Sequence, residues 1–395
     1  MKHKILYLPC FVYAISFGAI LALYQIGWSD LYPEINGFLL FFLLSTIGIS
    51  FGLALFQNRQ IKIVKSDVNL SSNFLKRAMY FLGIGYILEF LYESSIPLVS
   101  TLLSGSYSYG DFNGIPTFHV ILGTFNIFFS ILMFNHYLTN KTKTTLFQFV
   151  MTLIPYVLVL NRGAFMIVFS AMIFLFLMKL KSISLVKIVK PFLVLGIVLY
   201  FFGVIGNVRQ EQTKEDKEYL LKVAGATDRF LTSGVPGEFY WSYIYLISPM
   251  GNLQNLINLK DSSFNIDNIG IFSTTQLFPD FISKRLVGLL GYTDRLENGG
   301  GSEYLVTALL NATTVYYAGY YLLGSSGLIF MFFAMMISAL IYPLLIKRDS
   351  QYYLTAIASL NSIILLSTFN NMWYATGTIL LWPIIFSLIG RLKLR

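Results

Sequence analysis

Asn207-Val208-Arg209-Gln210-Glu211 opens, and Gly299-Gly300-Gly301-Ser302-Glu303 closes, a long polar segment in a chain that is otherwise apolar. Apolar runs flank it on both sides. It carries Arg229, Trp241, Arg285 and Arg295. The flanking runs are long enough to cross about 30 Å of hydrocarbon, so they read as spans that hold this segment on one side of a bilayer. Because 56% of the 395 residues are hydrophobic, only 12% are charged and the mean hydropathy is +0.67, the solvent for most of the chain is lipid. A soluble domain carries about twice that share of charge. A β-barrel would show short alternating segments instead of long apolar runs.

The apolar segments fall at about 5–25, 38–56, 78–92, 116–138, 145–161, 163–179, 191–206, 325–346, 353–370 and 373–390. The expected fold is an all-α polytopic membrane protein with about ten transmembrane helices. Residues 1–206 supply helices one to seven, 207–324 the large loop with membrane-dipping segments, and 325–395 helices eight to ten. With the N-terminus on the cytoplasmic side, 18 of the 28 basic residues lie inside with just two acids, Asp67 and Asp349. The two faces then carry +16 and −7, as the positive-inside rule requires. The formal +9 therefore reports orientation, and no nucleic-acid partner is expected. Trp28, Trp241 and Trp373 fall at the proposed outer boundary, where amphipathic rings sit at headgroup level.

Two stretches blur the count. Residues 239–257 are apolar but interrupted by Pro249, Gly251, Asn252, Gln254 and Asn255, and 304–323 carry Asn311, Thr313 and Thr314. Full crossing by both would leave more acid than base in 258–303 on the cytoplasmic side. Both are expected to lie in the outer leaflet or dip into it, over a cavity, because polar backbone at that depth needs protein or water around it. Residues 215–222 have a short helical pattern of opposite charges. Gly48 and Gly52 form a GxxxG pair that suits close helix packing within the chain.

One cysteine, Cys10, excludes an internal disulfide, and Pro9 before it argues against a lipid-modified leader. His3, His119 and His136 are scattered, and HExxH, CxxC and phosphate-loop lysine patterns are missing. Neither a metal nor a cofactor is expected.

The chemistry-bearing residues are arginines. Arg162 sits in Leu160-Asn161-Arg162-Gly163, with almost no loop to hold it between two apolar runs. Such a charge must snorkel, pair with an acid such as Glu89 or Glu93, or bind an anion. Arg209, Arg285 and Arg295 could join it. A guanidinium pairs bidentately with phosphate oxygens, each contact worth on the order of 4 kcal/mol before desolvation. Outside a cytoplasmic membrane an activated donor must arrive on lipid, and a lipid-linked pyrophosphate both anchors the sugar and leaves without a metal. A general base would assist the acceptor hydroxyl, and His119 and Glu211 are the candidates.

These residues resemble a known family, the Wzy-type O-antigen or oligosaccharide repeat-unit polymerases. The resemblance covers most of the chain. It rests on Asn161-Arg162-Gly163, on Gly206-Asn207-Val208-Arg209, and on Trp241-Ser242-Tyr243-Ile244-Tyr245 followed by Ser248-Pro249-Met250-Gly251-Asn252-Leu253-Gln254. Asn311-Ala312-Thr313-Thr314, Gly324 and Gly327 add to it, as does Gly114-Ile115-Pro116 leading to His119. It implies a GT-C-like fold in a bacterial inner membrane, both termini cytoplasmic, with a partly re-entrant periplasmic loop. The implied activity is metal-independent, inverting transfer of a growing glycan from undecaprenyl pyrophosphate to another lipid-linked unit. Arg162 and Arg209, with Arg285 and Arg295, would hold the pyrophosphate, while Trp241, Tyr245, Asn252 and Asn311 would contact glycan. The implied partners are the undecaprenyl-pyrophosphate-linked oligosaccharide, membrane lipids and a chain-length-regulating membrane protein. The rival readings are an O-antigen ligase and a flippase or transporter for lipid-linked oligosaccharide.

Overall fold

The computed structural model describes residues 4–60, 68–104, 112–180, 219–293 and 301–392. Every regular element within them is helical, and the one strand-like pairing is a bridge between Ser29 and Ala226. The first half holds α1 (Pro9–Tyr24), α2 (Gly37–Gln60), α3 (Ser72–Glu93), α4 (Pro97–Ser104), α5 (Phe118–Asn140), α6 (Lys143–Leu158) and α7 (Arg162–Lys179). Two short helices follow, α8 (Tyr219–Val223) and α9 (Asp228–Leu231), then α10 (Glu238–Leu259), α11 (Ile269–Gln276) and α12 (Asp280–Leu289). The chain ends with α13 (Tyr317–Leu323), α14 (Ser325–Leu345), α15 (Tyr353–Leu366), α16 (Met372–Thr376) and α17 (Leu381–Leu392).

Local chemistry sets several boundaries. Pro9 opens α1, where a missing N–H costs nothing. The side chains of Ser71, Thr142 and Asn161 cap α3, α6 and α7 by accepting from Phe74 N, Thr145 N and Ala164 N. Ser94 and Lys141 stop α3 and α5 in the left-handed conformation.

The described residues form an α-helical membrane protein. Five stretches are helical, long and apolar enough to cross a bilayer: Gly37–Arg59, Phe118–Asn140, Arg162–Lys179, Ser325–Leu345 and Met372–Ile389. The α3–α4 pair, bent by 45°, makes a sixth. Three more apolar helices, α1, α6 and α15, have only 16, 16 and 14 residues. At 1.5 Å per residue they measure about 24, 24 and 21 Å, short of the full hydrocarbon thickness. The expected span at 191–206 lies outside the described residues, as does 215–218 of the short charged helix.

α15 occupies the centre. Thirteen of its 14 residues are buried, and it packs on α7, α1, α5 and α14. Being enclosed by other helices, it need not match the bilayer in length. Ser170 Oγ donates to Ser362 Oγ at 2.9 Å, and Asn135 Nδ2 to Thr355 Oγ1 at 3.1 Å, so polar groups of α15 tie it to α7 and α5.

The bundle has two chemically distinct ends. At the basic end, Lys179 Nζ reaches Asn135 O and Thr139 Oγ1, and His136 Nδ1 meets Val68 O at 2.8 Å. Lys76, Arg77, Lys141, Lys143, Lys347 and Arg348 belong to this end by their places at helix termini. The opposite, loop end gathers the connector 25–36, the described parts of the α3–α5 connection, the α6–α7 turn, residues 219–237 and 260–293, and the start of 301–316.

α10 runs unbroken for 22 residues through Pro249 and the polar positions that interrupt its apolar run. Those positions have distant partners. Gln254 Oε1 accepts from Asn36 N at 2.9 Å, and Asn255 Nδ2 donates to Tyr304 O at 2.8 Å. Gly251 leaves room for the Tyr32 ring, whose Cδ1 would lie 2.2 Å from a Cβ there. With Trp28 N donating to Tyr243 OH at 3.1 Å, the α1–α2 connector follows α10 along about 16 Å of its length. Trp241 is buried, at 3% exposure, so it packs the interior instead of joining an aromatic belt.

Residues 301–316 descend into the bundle with no α-helix, only the short 3-10 turns Ser302–Tyr304 and Ala308–Leu310, and α13 climbs back. Tyr316 is fully buried against Phe17 and Phe42, and its hydroxyl shares a hydrogen bond with that of Tyr13. Tyr13 lies about 16 Å below the loop end of α1. Val315 N donates to Ser367 O at 2.9 Å, so the dip is tied to the end of α15. Gly324, at φ +59°, reverses the chain into α14.

The close helix packing falls elsewhere than expected. A Cβ on Gly48 or Gly52 would meet nothing within 4 Å, whereas one on Gly327 would stand 1.8 Å from Gly319 O. Gly327→Ala is therefore expected to lower the melting temperature sharply, by at least the cost of about 1–3 kcal/mol usual for overpacking. Gly52→Ala should leave melting unchanged; equal effects from the two would refute this packing.

Candidate functional site

The acids of α3 organise the loop end. Glu89 is fully buried and accepts from Ile115 N at 3.2 Å and from His119 Nδ1 at 2.5 Å. One turn on, Glu93 Oε1 accepts from Gly114 N at 2.6 Å and Asn113 N at 3.2 Å. Gly114 is required here, because φ is +64° and a Cβ would lie 2.5 Å from Glu89 Oε2 and 2.7 Å from His119 Nδ1. The imidazole is thus oriented by a carboxylate on Nδ1, its ring against Phe112 at 5.5 Å between centroids. With Nδ1–H donated to Glu89, Nε2 is the basic nitrogen, the arrangement a general base uses. Its side chain is 28% exposed, so it can meet a ligand.

Arg285 arrives at the same place from α12. Its Nη2 donates to Thr117 Oγ1 at 2.6 Å, and Nη1 donates to Phe281 O. Thr117 sits at φ +69°, a conformation that costs a β-branched residue about 1–3 kcal/mol and that the surrounding contacts must enforce. Arg285 is therefore tied to Thr117, two residues before His119 in the chain. Glu89 was considered in the sequence only as a partner for Arg162, and its role as the orienting acid was missed. Its position on α3, one helical turn before Glu93, was the available signal.

Arg162 occupies the first position of α7 and is exposed. Leu160 just before it is at φ +59°, and Asn161 Oδ1 accepts from Ala164 N at 3.0 Å. Glu89 and Glu93 are committed to the α3–α5 connection, so the proposed ion pair with either does not form. The guanidinium has no hydrogen-bond or ion-pair partner among the described residues. Arg285 is instead committed to Thr117 and Phe281. Arg209, Arg295 and Glu211 lie outside the described residues.

The predicted glycan contacts divide. Trp241 and Tyr245 lie against each other on α10, 5.8 Å between ring centroids, with Tyr245 the more accessible. Asn311 is exposed. Asn252 is fully buried, and its amide is saturated by backbone: Nδ2 donates to Leu310 O at 2.8 Å and Ala312 O at 2.9 Å, and Oδ1 accepts from Val306 N at 3.1 Å. Its task is to hold the descending segment, and no polar atom is left for a glycan. Asn252→Ala strands three backbone groups at about 1–3 kcal/mol each. A melting temperature several degrees lower in detergent is expected, and an unchanged one would contradict this role.

A cavity of about 520 Å³ opens between α11, α12, α13 and α16. Gln276, Ser283, Lys284, Gly288, Tyr321 and Tyr374 are among its lining residues, and neither Arg162 nor Arg285 is. At its edge Asp280 accepts from Tyr374 OH at 2.6 Å and pairs with Lys284 Nζ at 2.9 Å. The Lys284 side chain is 73% exposed and that of Asp280 32%, so this i,i+4 pair contributes only about 0.3–0.5 kcal/mol. Either group can turn to a ligand at little cost. Asn371 Nδ2 donates to Gln276 O at 2.9 Å and Oε1 at 3.1 Å, fixing α11 to the start of α16. Sequence reasoning did not single out Asp280 or Lys284, since Tyr374, which brings them to a cavity, is far away along the chain.

No family model matches the chain, and no curated protein or solved structure matches it either.

Proposed function

We propose that the chain polymerises oligosaccharide repeat units carried on undecaprenyl pyrophosphate, as a metal-independent, inverting glycosyltransferase of a bacterial inner membrane. The observation that carries this reading is Arg162, an exposed guanidinium between two apolar helices with no protein partner among the described residues. Of the three fates open to such a charge, pairing with an acid is not seen among the described residues, which leaves the guanidinium available to an anion. The positive end of the α7 dipole lies at the same place and favours phosphate, although the Asn161 cap already takes Ala164 N.

In this reading the basic end faces the cytoplasm and the loop end the periplasm. Arg162, with Arg209, Arg285 and Arg295, holds the pyrophosphate and stabilises it as it leaves. His119, oriented by Glu89, takes the proton of the acceptor hydroxyl at Nε2 while the hydroxyl oxygen attacks the anomeric carbon. The bond from that carbon to the pyrophosphate oxygen breaks, and its electron pair leaves with the lipid. Loss of the base is expected to slow the chemical step by about 10²–10⁴, measured as kcat of His119→Ala. Unchanged kcat would remove His119 from the mechanism.

The lipid profile of a deletion strain tests the function. A polymerase deletion leaves lipid A core bearing one repeat unit. Bare core, with polymer stranded on the carrier lipid, would assign the chain to ligation instead.

A further inference from the structure

We infer that the cavity between α11, α12, α13 and α16 is a glycan subsite, holding a neutral, hydroxyl-rich sugar some distance from the reacting atoms. This rests on the glycosyl-transfer reading above. The volume, about 520 Å³, falls in the range of about 300–1,000 Å³ typical of small-molecule sites. Its chemistry suits sugar better than phosphate. Lys284 brings a positive charge to the wall, but Asp280 lies 2.9 Å from it and offsets that charge. The remaining polar groups named above, from Gln276, Ser283 and Tyr374, are neutral.

A carboxylate beside an ammonium and a phenol offers acceptor and donor atoms within one sugar's reach. Charge-assisted bonds of this kind are the stronger ones for hydroxyl groups. Tyr321 and Tyr374 bring aromatic rings to the wall, the side-chain type that packs against the C–H side of a pyranose. The Asp280–Lys284 pair is loose and solvent-exposed, so its members exchange partners readily.

α12 separates this cavity from the His119 cluster. Lys284 lines the cavity, while the next residue, Arg285, turns to Thr117. A glycan lying across α12 would have one unit in the cavity and another near His119. Lys284, Tyr374 and Asp280 are therefore binding residues, and their loss falls on KM and leaves kcat in place.

Gly288 gives a clean test. It lines the cavity, and a Cβ there would meet nothing within 4 Å, so a larger side chain can be added without a clash at its root. The probe is the water-soluble oligosaccharide released by mild acid from the host's lipid-linked repeat units. Saturation-transfer NMR on the full chain in nanodiscs should show wild type binding it. Gly288→Ala should match wild type, and Gly288→Trp should abolish binding and raise KM for elongation. Tyr374→Phe, which adds no bulk, should weaken binding about fivefold, the worth of one hydrogen bond. Wild-type binding and KM in both Gly288→Trp and Tyr374→Phe, with elongation intact, would overturn the subsite and leave the polymerase reading standing. A folded wild-type protein that neither elongates nor binds the oligosaccharide would overturn both.

Discussion

Arg162→Ala is expected to abolish polymer in cells while leaving the protein at its wild-type level. Arg162 is exposed on the first turn of α7, and no described side chain depends on it for a hydrogen bond or an ion pair. Its removal therefore takes little from the fold. The turn that carries it is set by the backbone of Leu160 and the Asn161 cap, which the substitution leaves in place. What it takes is a fork of N–H donors for phosphate. Two such charge-assisted bonds are worth about 1.5–3 kcal/mol each, which corresponds to a fall of about 10²–10⁴ in kcat/KM. Arg162→Lys should rescue poorly, because an ammonium is a point charge without the planar fork. Arg209→Ala is expected to behave alike. Wild-type chain lengths in the Arg162→Ala strain would contradict the phosphate role.

Glu89→Ala should be the most damaging single change at the loop end. The carboxylate has no exposure and accepts from Ile115 N and His119 Nδ1, while Gly114 packs directly against it. Breaking a buried, hydrogen-bonded pair costs about 3–5 kcal/mol, a large part of a typical stability of about 5–15 kcal/mol. Thermal unfolding in detergent should report that loss, and activity should vanish with it. Glu89→Gln keeps the shape and can still accept from Ile115 N, so most stability should return. Orientation of His119 needs the carboxylate, and turnover should stay low. Full activity in Glu89→Gln would show that the acid only fills space.

The membrane character was plain in the sequence because lipid demands uniform apolar runs, and composition alone reveals them. Span lengths were less legible. Residues 353–370 look like any other apolar run, yet α15 stops at Leu366 and is enclosed by α7, α1 and α5 instead of lipid. The α10 region misled in the opposite direction. Pro249 and three amides interrupt the apolar run and suggested a membrane-dipping stretch over a cavity, but the amides satisfy backbone groups from Asn36 to Ala312, which periodicity cannot reveal. Gly48 and Gly52 had the spacing for close packing, while the true contact, Gly319 on Gly327, joins two helices across a turn.

The same division runs through the candidate site. Gly114 and Pro116 mark the turn into α5, so His119 could be placed at a helix entrance from sequence. Its partner Glu89 lies thirty residues back, and pairing at that separation is a tertiary fact. Arg162 was conspicuous for the opposite reason, since a charge between apolar runs needs no partner to be noticed. Asp280 and Lys284, at an ordinary i,i+4 spacing, gave no hint of the cavity that Tyr374 completes.

The most direct measurement is extension of a lipid-linked repeat unit by the purified chain in detergent, with a chelator present and no other protein. A ladder of longer glycans, each step releasing undecaprenyl pyrophosphate, is the predicted result. A folded preparation that leaves the repeat unit at its original length, or that moves it across a proteoliposome membrane without lengthening it, would contradict the account.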